Sequence, residues 1–206
     1  MHVLLINGSP HEKGCTYTAL NLIAEELNAA GITTEILNVG TKPVGGCIGC
    51  GGCAKGDGCV FGGVVNEAIE KAKTADAFVF GTPVHYASAS GNMTSFMDRL
   101  AYAGGKYLAY KPAAICASAR RAGTTSALDQ LVKYPEFFHM PLVSGSYWPM
   151  VHGSNPEQVL QDQEGCAVMK ELGRNMAWLL QCIEVGKAAG ISHPENPRRP
   201  MTNFIR

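Results

Sequence analysis

Hydrophobic and polar positions divide the start of the chain into a strand, a helix and a second strand. Residues 3–6 are uniformly apolar, as expected of a central parallel strand that helices cover on both faces. A helix is predicted to begin near Thr16, because apolar residues then recur at helical spacing: Leu20, Ile23, Ala24 and Leu27. Gly31 ends this unit, and Thr33–Val39 predicts the next strand.

The same alternation continues to residue 187. Further elements are predicted in this order: strand 77–80, helix 93–103, strand 112–117, helix 126–133, strand 141–144 and a long amphipathic helix within 156–187. Strands that alternate with helices form a parallel sheet with right-handed crossovers. The pattern therefore predicts an α/β fold, a doubly wound five-stranded parallel sheet with helices on both faces.

No repeat, low-complexity tract or domain boundary interrupts this plan. One domain over residues 1–190 is predicted, with residues 45–60 as a cysteine-rich insertion loop. Residues 191–206 are predicted to form an extended tail that contacts another subunit, with a mobile terminus as the alternative. A continuous helix is excluded there by three prolines: Pro194, Pro197 and Pro200.

The turn after the first strand has the chemistry of a phosphate-binding loop. Gly8 and Gly14 interrupt the apolar pattern, and the helix that follows presents unpaired amides and the positive end of its dipole. The hydroxyls of Ser9, Thr16 and Thr18 add donors. The nucleotide-hydrolase loop and the Gly-x-Gly-x-x-Gly fingerprint are both absent. The residues indicate a phosphorylated cofactor, with an ordinary strand-to-helix turn as the alternative.

Two more polar loops follow the third and fourth predicted strands, at residues 82–88 and 118–124. In a doubly wound sheet, ligands bind beyond the carboxyl ends of the strands, where the strand order reverses. Both loops should therefore line one crevice together with residues 8–16.

Charge balance and hydropathy argue against binding to nucleic acid or to a membrane. Lys plus Arg and Asp plus Glu number 17 each, so no basic field attracts nucleic acid or anionic lipid. No apolar run approaches the roughly 20 residues of a membrane span, and no signal peptide is recognisable at the start. We expect a cytoplasmic protein that binds neither nucleic acid nor membrane.

Four cysteines follow the second predicted strand at short intervals, within a glycine-rich segment: Cys47, Cys50, Cys53 and Cys59. Such spacing lets successive sulfurs point at one cluster, while glycines permit the tight backbone that this requires. The residues themselves leave three interpretations: a [4Fe-4S] cluster, free or reversibly oxidised thiols, and a zinc site.

With these loops in place, the chain resembles the NADPH-dependent FMN reductase family of flavodoxin-like proteins, and particularly its iron–sulfur flavoprotein branch. The resemblance covers roughly residues 1–187, and residues 8–16 match the family's Gly-Ser-Pro-Arg-Lys-x-Gly-Asn-Thr-like loop. His11 replaces the usual arginine and Cys15 the usual asparagine, so Lys13 or His11 would supply the cation.

The resemblance implies a set of FMN-binding residues from the three loops. The first loop would hold the phosphate with Ser9, Pro10, Lys13, Gly14, Cys15 and Thr16. The second would border the isoalloxazine ring with Pro83, Val84, His85 and Tyr86. The third would contribute Ser118, Arg120, Arg121 and Gly123, with surface ion pairs as the alternative role of the arginines. The four clustered cysteines would be the metal ligands.

The resemblance also implies an activity. An FMN-dependent oxidoreductase would take reducing equivalents from NAD(P)H and pass them to a flavin, a quinone or another small acceptor. No catalytic side chain is needed, because the chemistry takes place on FMN. The alternative is an iron–sulfur flavoprotein or flavodoxin-like carrier that exchanges single electrons with a ferredoxin-like partner. A homodimer or homotetramer is expected, because relatives often complete the flavin site across an interface.

Overall fold

The computed structural model describes residues 1–56, 58–196 and 200–204. The strands are β1 (His2–Asn7), β2 (Thr33–Asn38), β3 (Ala77–His85), β4 (Ser88–Ala89), β5 (Ala113–Ala119) and β6 (Met150–His152). The α-helices are α1 (Cys15–Ala29), α2 (Val64–Thr74), α3 (Gly91–Gly104), α4 (Thr124–Phe137), α5 (Pro156–Val159) and α6 (Gln163–Ala188). Two 3-10 turns, Gly52–Lys55 and Gly105–Tyr107, complete the order.

Five parallel strands form the sheet in the order β2-β1-β3-β5-β6, and the short β4 pairs antiparallel with the end of β3. This is the flavodoxin-like order. The chain places β2 on one side of β1 and then crosses over to place β3 on the other side. The switch point lies between β1 and β3. The α/β class and the five-stranded parallel sheet are confirmed, with β4 as an addition.

Alternate side chains of the central strands fill two separate cores. Leu4 and Ile6 lie in the core beneath α2, α3 and α4, whereas Val3 and Leu5 lie in the core beneath α1 and α6. All four are at most 1% exposed, which explains why residues 3–6 are continuously apolar. Helices therefore cover both faces of the sheet, as predicted.

The predicted fifth strand, Pro141–Ser144, is wrong in position. Only Leu142 forms a bridge there, to Ala113, and the regular strand pairs with β5 eight residues later, from Met150. Pro141 and Pro149 have no amide hydrogen to donate to a ladder, and an edge strand tolerates the resulting interruption.

Two strand boundaries also differ from the sequence prediction. The third strand continues from Phe80 to His85, and the fourth continues from Ala117 to Ala119, so part of each predicted loop is strand. The long helix predicted within 156–187 is confirmed as α6, and the short α5 precedes it. Asp162 caps α6 by accepting a hydrogen bond from the Gly165 amide at 3.0 Å.

The described part of the tail, residues 191–196 and 200–204, contains neither helix nor strand. His193 stacks on Tyr110 with ring centroids 4.4 Å apart, and Asn196 Nδ2 donates to Tyr110 Oη at 2.6 Å. The beginning of the tail thus packs on its own chain. Pro197 lies outside the described residues. Within the described ranges, no helix is long and apolar enough to cross a membrane.

Helix α6 packs closely on α1 at Gly173. A Cβ atom there would lie 2.7 Å from the Ile23 carbonyl oxygen, a backbone atom that cannot move away freely. We expect Gly173→Ala to lower the free energy of unfolding by about 1–3 kcal/mol, because overpacking exceeds the gain in helix propensity. Gly186→Ala is the control in the same helix, since its nearest neighbour would be 3.9 Å away. That control should raise the free energy of unfolding by about 0.5–1 kcal/mol. Urea unfolding of both variants measures the difference, and equal effects would contradict the packing argument.

Candidate functional site

Hydrogen bonds join the carboxyl ends of the three central strands. The Gly8 amide donates to the Gly81 carbonyl at 2.8 Å, which fastens the end of β1 to β3. The hydroxyls of Thr16 and Ser118 lie 2.8 Å apart, which fastens the start of α1 to β5. The three predicted loops therefore meet in one crevice at the switch point.

Buried polar side chains concentrate at this end of the sheet. Those at most 5% exposed are Asn7, Ser9, Thr16, Thr82, Ser90, Ser118 and Thr124. Buried polar groups need hydrogen-bond partners, and each of these side chains has at least one. Hydrogen bonds therefore hold the polar side chains at this end of the sheet.

Asn7 shapes the first loop, although the sequence analysis did not select it. Its Oδ1 accepts from the Ser9 amide at 3.1 Å, and its Nδ2 donates to the carbonyls of His11 and Glu12 at 3.3 and 3.2 Å. Ser9 Oγ accepts from the His11 amide at 3.1 Å, which closes the turn. An asparagine directly after an apolar strand is the signal that could have identified this role, because its short amide readily bonds to nearby backbone.

The first loop leaves the start of α1 open to an anion. Gly14 is the N-cap residue and supplies no side chain to occupy the first amides of the helix. A groove of about 500 Å³ runs along residues 10–15 and faces Ser154–Pro156. Lys13 and His11 are exposed beside it. Exposed amides and a nearby cation suit a phosphate group.

Cys15 lies at the beginning of α1 but is not set up as a nucleophile. Its Sγ donates to the Gly153 carbonyl oxygen at 3.5 Å, and burial raises the pKa of the thiol. The neutral thiol packs between the first loop and the segment after β6. Loop packing is therefore the role that the geometry favours over reactivity.

The second loop is a tight hairpin between β3 and β4. His85 pairs with Ser88, and the two residues between them have positive φ angles, 49° for Tyr86 and 59° for Ala87. Two-residue turns with positive φ angles favour asparagine and glycine. Tyrosine and alanine occupy these positions here, so the backbone is strained. The Tyr86 side chain is fully exposed, and Pro83 and Val84 are half-buried. The hairpin thus holds an aromatic ring out at the crevice.

The third loop packs directly against this hairpin. Gly123 has a φ of +96°, and a Cβ atom there would lie 2.6 Å from Ala87 Cα. Arg120 and Arg121 are exposed, whereas Ser118 belongs to β5 and is buried against Thr16. Gly123 is therefore required for the two loops to approach each other.

Thr82 and Ser90 anchor the hairpin, and the sequence analysis did not identify either. Thr82 Oγ1 accepts from the Ser90 amide at 3.1 Å. Ser90 Oγ donates to the Gly8 carbonyl at 2.9 Å and accepts from the Met93 amide, which caps α3. A serine immediately before an amphipathic helix is a recognisable cap signal. Its connection to the first loop is visible only in the fold.

The four clustered cysteines line one small pocket of about 120 Å³ beside α3. Cys47 and Cys50 are exposed, and Cys53 and Cys59 are half-buried. Other side chains in its wall are Ile48, Val60, Phe61, Arg99 and Tyr102. Within residues 1–56, 58–196 and 200–204, no three Cys, His, Asp or Glu side chains form a group that could hold a metal ion.

Asn66 of α2 fixes the fourth cysteine. Its Oδ1 accepts from the Cys59 amide at 2.8 Å, and its Nδ2 donates to the Cys59 carbonyl at 3.0 Å. Gly49 and Gly51, which lie among the first three cysteines, have φ angles of 64° and 69°, a left-handed conformation that glycine adopts readily. The donor type, four thiols that line one pocket, is the chemistry of an iron–sulfur cluster. Among the described residues, however, these thiols are not already gathered into a group that could hold a metal ion.

The remaining cysteines have other surroundings. Cys116 is fully buried in β5, and burial raises its pKa to about 12, as expected of a core residue. Cys166 is half-buried and donates to the Val159 carbonyl, whereas Cys182 is exposed on α6. Cys182 is therefore not a core residue.

The sequence pattern of the NADPH-dependent FMN reductase family matches residues 1–155. An iron–sulfur flavoprotein of Methanocaldococcus jannaschii is 30% identical over 196 residues, which cover 89% of this chain and 100% of that protein. An iron–sulfur flavoprotein of Archaeoglobus fulgidus is 32% identical over 196 residues, which cover 91% of this chain and 96% of that protein.

Solved structures support the same fold. A flavodoxin from the domain Archaea superposes with a TM-score of 0.59 at 13% identity, covering 88% of this chain and 99% of that one. At this identity the likeness concerns the fold alone, and it agrees with the strand order described above.

Proposed function

Since the chain belongs to the NADPH-dependent FMN reductase family, we propose that it is an FMN-dependent oxidoreductase of the iron–sulfur flavoprotein kind. The observation that carries this proposal is the hydrogen-bonded crevice at the switch point, where loops after β1, β3 and β5 meet. FMN supplies the redox chemistry, because its ring accepts hydride and releases electrons singly or in pairs.

The first loop would hold the phosphate of FMN. The open amides at the start of α1 and the hydroxyl of Ser9 would donate to phosphate oxygens, and Lys13 or His11 would add positive charge. Asn7 keeps the loop in this shape through its bonds to three backbone groups. The loop therefore needs little reorganisation on binding.

The second and third loops would position the isoalloxazine ring. The exposed ring of Tyr86 offers an aromatic face, and the backbone from Pro83 to His85 offers hydrogen-bonding groups. Arg120 and Arg121 would provide positive charge near the reduced flavin, which is a general way for a protein to tune a cofactor.

The cysteine pocket would hold a [4Fe-4S] cluster with Cys47, Cys50, Cys53 and Cys59 as ligands. Support comes from the position of all four on one pocket and from the two relatives at 30 and 32% identity, both described as iron–sulfur flavoproteins. Such a cluster supplies one-electron transfer. This chain would then exchange electrons with a ferredoxin-like protein partner, and it would function as a homodimer or homotetramer.

A second candidate function is direct reduction of a flavin, quinone or other small acceptor by NAD(P)H. The observation that favours it is the open flank of the crevice, where Tyr86 is fully exposed and could admit a second ring beside the flavin. Both functions use the same FMN site, and they differ in the electron donor and acceptor.

One experiment distinguishes these possibilities. The protein is purified without oxygen, and FMN, iron, acid-labile sulfide and zinc are determined on the same sample. Its absorption is then recorded after addition of NADPH, NADH or a reduced ferredoxin. FMN with about four iron and four sulfide per chain, reduced by ferredoxin, supports the iron–sulfur flavoprotein. FMN without iron, bleached by a nicotinamide, supports the second function. A colourless protein would contradict both.

The phosphate loop can be tested separately by its hydroxyls. We expect the double variant Ser9→Ala, Thr16→Ala to bind FMN more weakly by about 1–3 kcal/mol, because charge-assisted and loop-closing hydrogen bonds are lost. Thr74→Ala is the control, since its exposed hydroxyl bonds only locally, to the Lys71 carbonyl. Fluorescence titration of the flavin-free protein measures both affinities. Unchanged affinity in the double variant would argue against this placement of the phosphate.

A further inference from the structure

Arg99 is a buried charge on the wall of the cysteine pocket. Its side chain comes from α3, and the residue is only 6% exposed. Nε donates to Cys59 Sγ at 3.2 Å, Nη1 to the Gly45 carbonyl at 3.4 Å, and Nη2 to the Gly62 carbonyl at 2.9 Å. Among the residues that the structure describes, it forms no ion pair with a carboxylate.

The carboxylate of Asp98, which precedes Arg99 in the chain, bonds to a different partner. Asp98 Oδ1 accepts a hydrogen bond from Tyr134 Oη at 2.6 Å, on the side of α3 that faces α4. Burial and the Asp98 charge raise the pKa of Tyr134, which keeps this phenol protonated and bonded. Asp98 therefore does not serve as the partner of Arg99. The ring of Phe61 lies 5.4 Å from the guanidinium carbon and further screens it from water.

A buried guanidinium whose acceptors are two carbonyls and a thiol lacks a compensating negative charge. Burying a charge without such compensation is costly, so the surroundings of Arg99 imply an anion nearby. Cys59 is in direct contact, and the other three cysteines line the same pocket. Thiolates bound to a metal group would supply the missing charge at the right place.

We propose that Arg99 is the counter-cation of an anionic group bound by the four cysteines, and that it raises the reduction potential of that group. The inference rests on the proposed function. Reduction adds a further negative charge to a cluster, and a cation within hydrogen-bond distance of a ligand sulfur favours the reduced form. Arg99 is thus a positioning and tuning residue rather than a ligand.

Arg99 also joins the two ends of the cysteine loop, at Gly45 and Gly62. A purely structural role would depend on these hydrogen bonds and not on the charge. Lysine retains the charge but loses the forked geometry, whereas glutamine loses the charge and retains hydrogen-bonding capacity. The two replacements therefore separate the roles.

The test compares Arg99→Gln and Arg99→Lys with the wild type, after anaerobic reconstitution with iron and sulfide. The control is Arg174→Gln, an exposed arginine 3.2 Å from Glu26 and remote from the pocket. Midpoint potentials are measured by redox titration followed by electron paramagnetic resonance. We expect Arg99→Gln to lower the equilibrium constant for one-electron reduction about tenfold, equivalent to about 59 mV. Arg99→Lys should stay close to the wild type, and all variants should retain FMN.

Each outcome decides the question. A loaded Arg99→Gln variant with an unchanged potential overturns the inference while leaving the proposed function intact. If Arg99→Lys binds iron and sulfide and Arg99→Gln does not, the result supports the requirement for a positive charge. If neither variant binds iron and sulfide, the cysteine pocket needs the forked geometry of arginine, and the inference is overturned. A wild-type protein that binds no iron or sulfide overturns the proposed cluster, and this inference with it.

Discussion

Replacing Cys50 by serine is expected to abolish iron and sulfide retention while leaving the FMN content unchanged. A serine hydroxyl is a poor ligand for iron compared with a thiolate, and Cys50 is the second of the four closely spaced thiols on the pocket. The proposed FMN crevice does not include this residue, because the loops proposed to form it are residues 8–16, 82–88 and 118–124. Iron, sulfide and FMN analysis of the anaerobically purified variant measures the outcome.

Cys182→Ser is the matched control. Cys182 is also exposed, but it lies on α6 and not on the cysteine pocket. It should retain the iron, sulfide and FMN of the wild type. Full iron and sulfide in Cys50→Ser would falsify the ligand assignment, and loss of FMN together with iron would mean that the two sites are not independent.

Gly123→Ala is expected to destabilise the protein by about 2–5 kcal/mol and to weaken FMN binding at least about tenfold. The residue needs the left-handed conformation, which costs a side-chain-bearing residue about 1–2 kcal/mol. Overpacking adds about 1–3 kcal/mol, because the new Cβ would lie 2.6 Å from Ala87 Cα and 2.9 Å from Val84 Cγ1. Relief of the clash must displace the hairpin that carries Tyr86, and the crevice changes shape.

Gly31→Ala is the control that separates the cost of the left-handed conformation from the cost of overpacking. Gly31 has a comparable φ of +76°, yet a Cβ there would have no neighbour within 4 Å. This control should lose only about 1–2 kcal/mol of stability and keep its FMN affinity. Unfolding is measured on flavin-free protein, so that bound FMN does not mask the difference. Equal stability losses, or an unchanged FMN affinity in Gly123→Ala, would show that the two loops do not depend on this contact.

Hydrophobic periodicity was sufficient to predict the fold class, because helices cover the central strands on both faces. Residues 3–6 and 77–80 are continuously apolar, and such runs have few alternatives to a buried parallel strand. The edge strand was misplaced for the opposite reason. Residues 141–152 lie at one border of the sheet, where only part of each strand is buried and prolines interrupt the ladder, so the pattern is weak.

The candidate site also combines features that the sequence predicts with features that depend on the fold. The glycines and hydroxyls of residues 8–16 and the spacing of Cys47, Cys50, Cys53 and Cys59 are local features that can be read directly from the chain. Asn7 and Ser90 also carry local signals, for a turn and a helix cap, but their bonds into the crevice involve neighbours chosen by the fold.

The sequence by itself determined the alternation of strands and helices, the glycine- and hydroxyl-containing turn at residues 8–16 and the presence of a four-cysteine segment, because each is a property of adjacent residues. Tertiary structure alone decided the strained hairpin at Tyr86, the contact of Gly123 with Ala87 and the burial of Arg99 against Cys59. The contacts of Gly123 and Arg99 join residues far apart in the chain. Their energies come from packing and from removal of charge from water, which sequence spacing does not record.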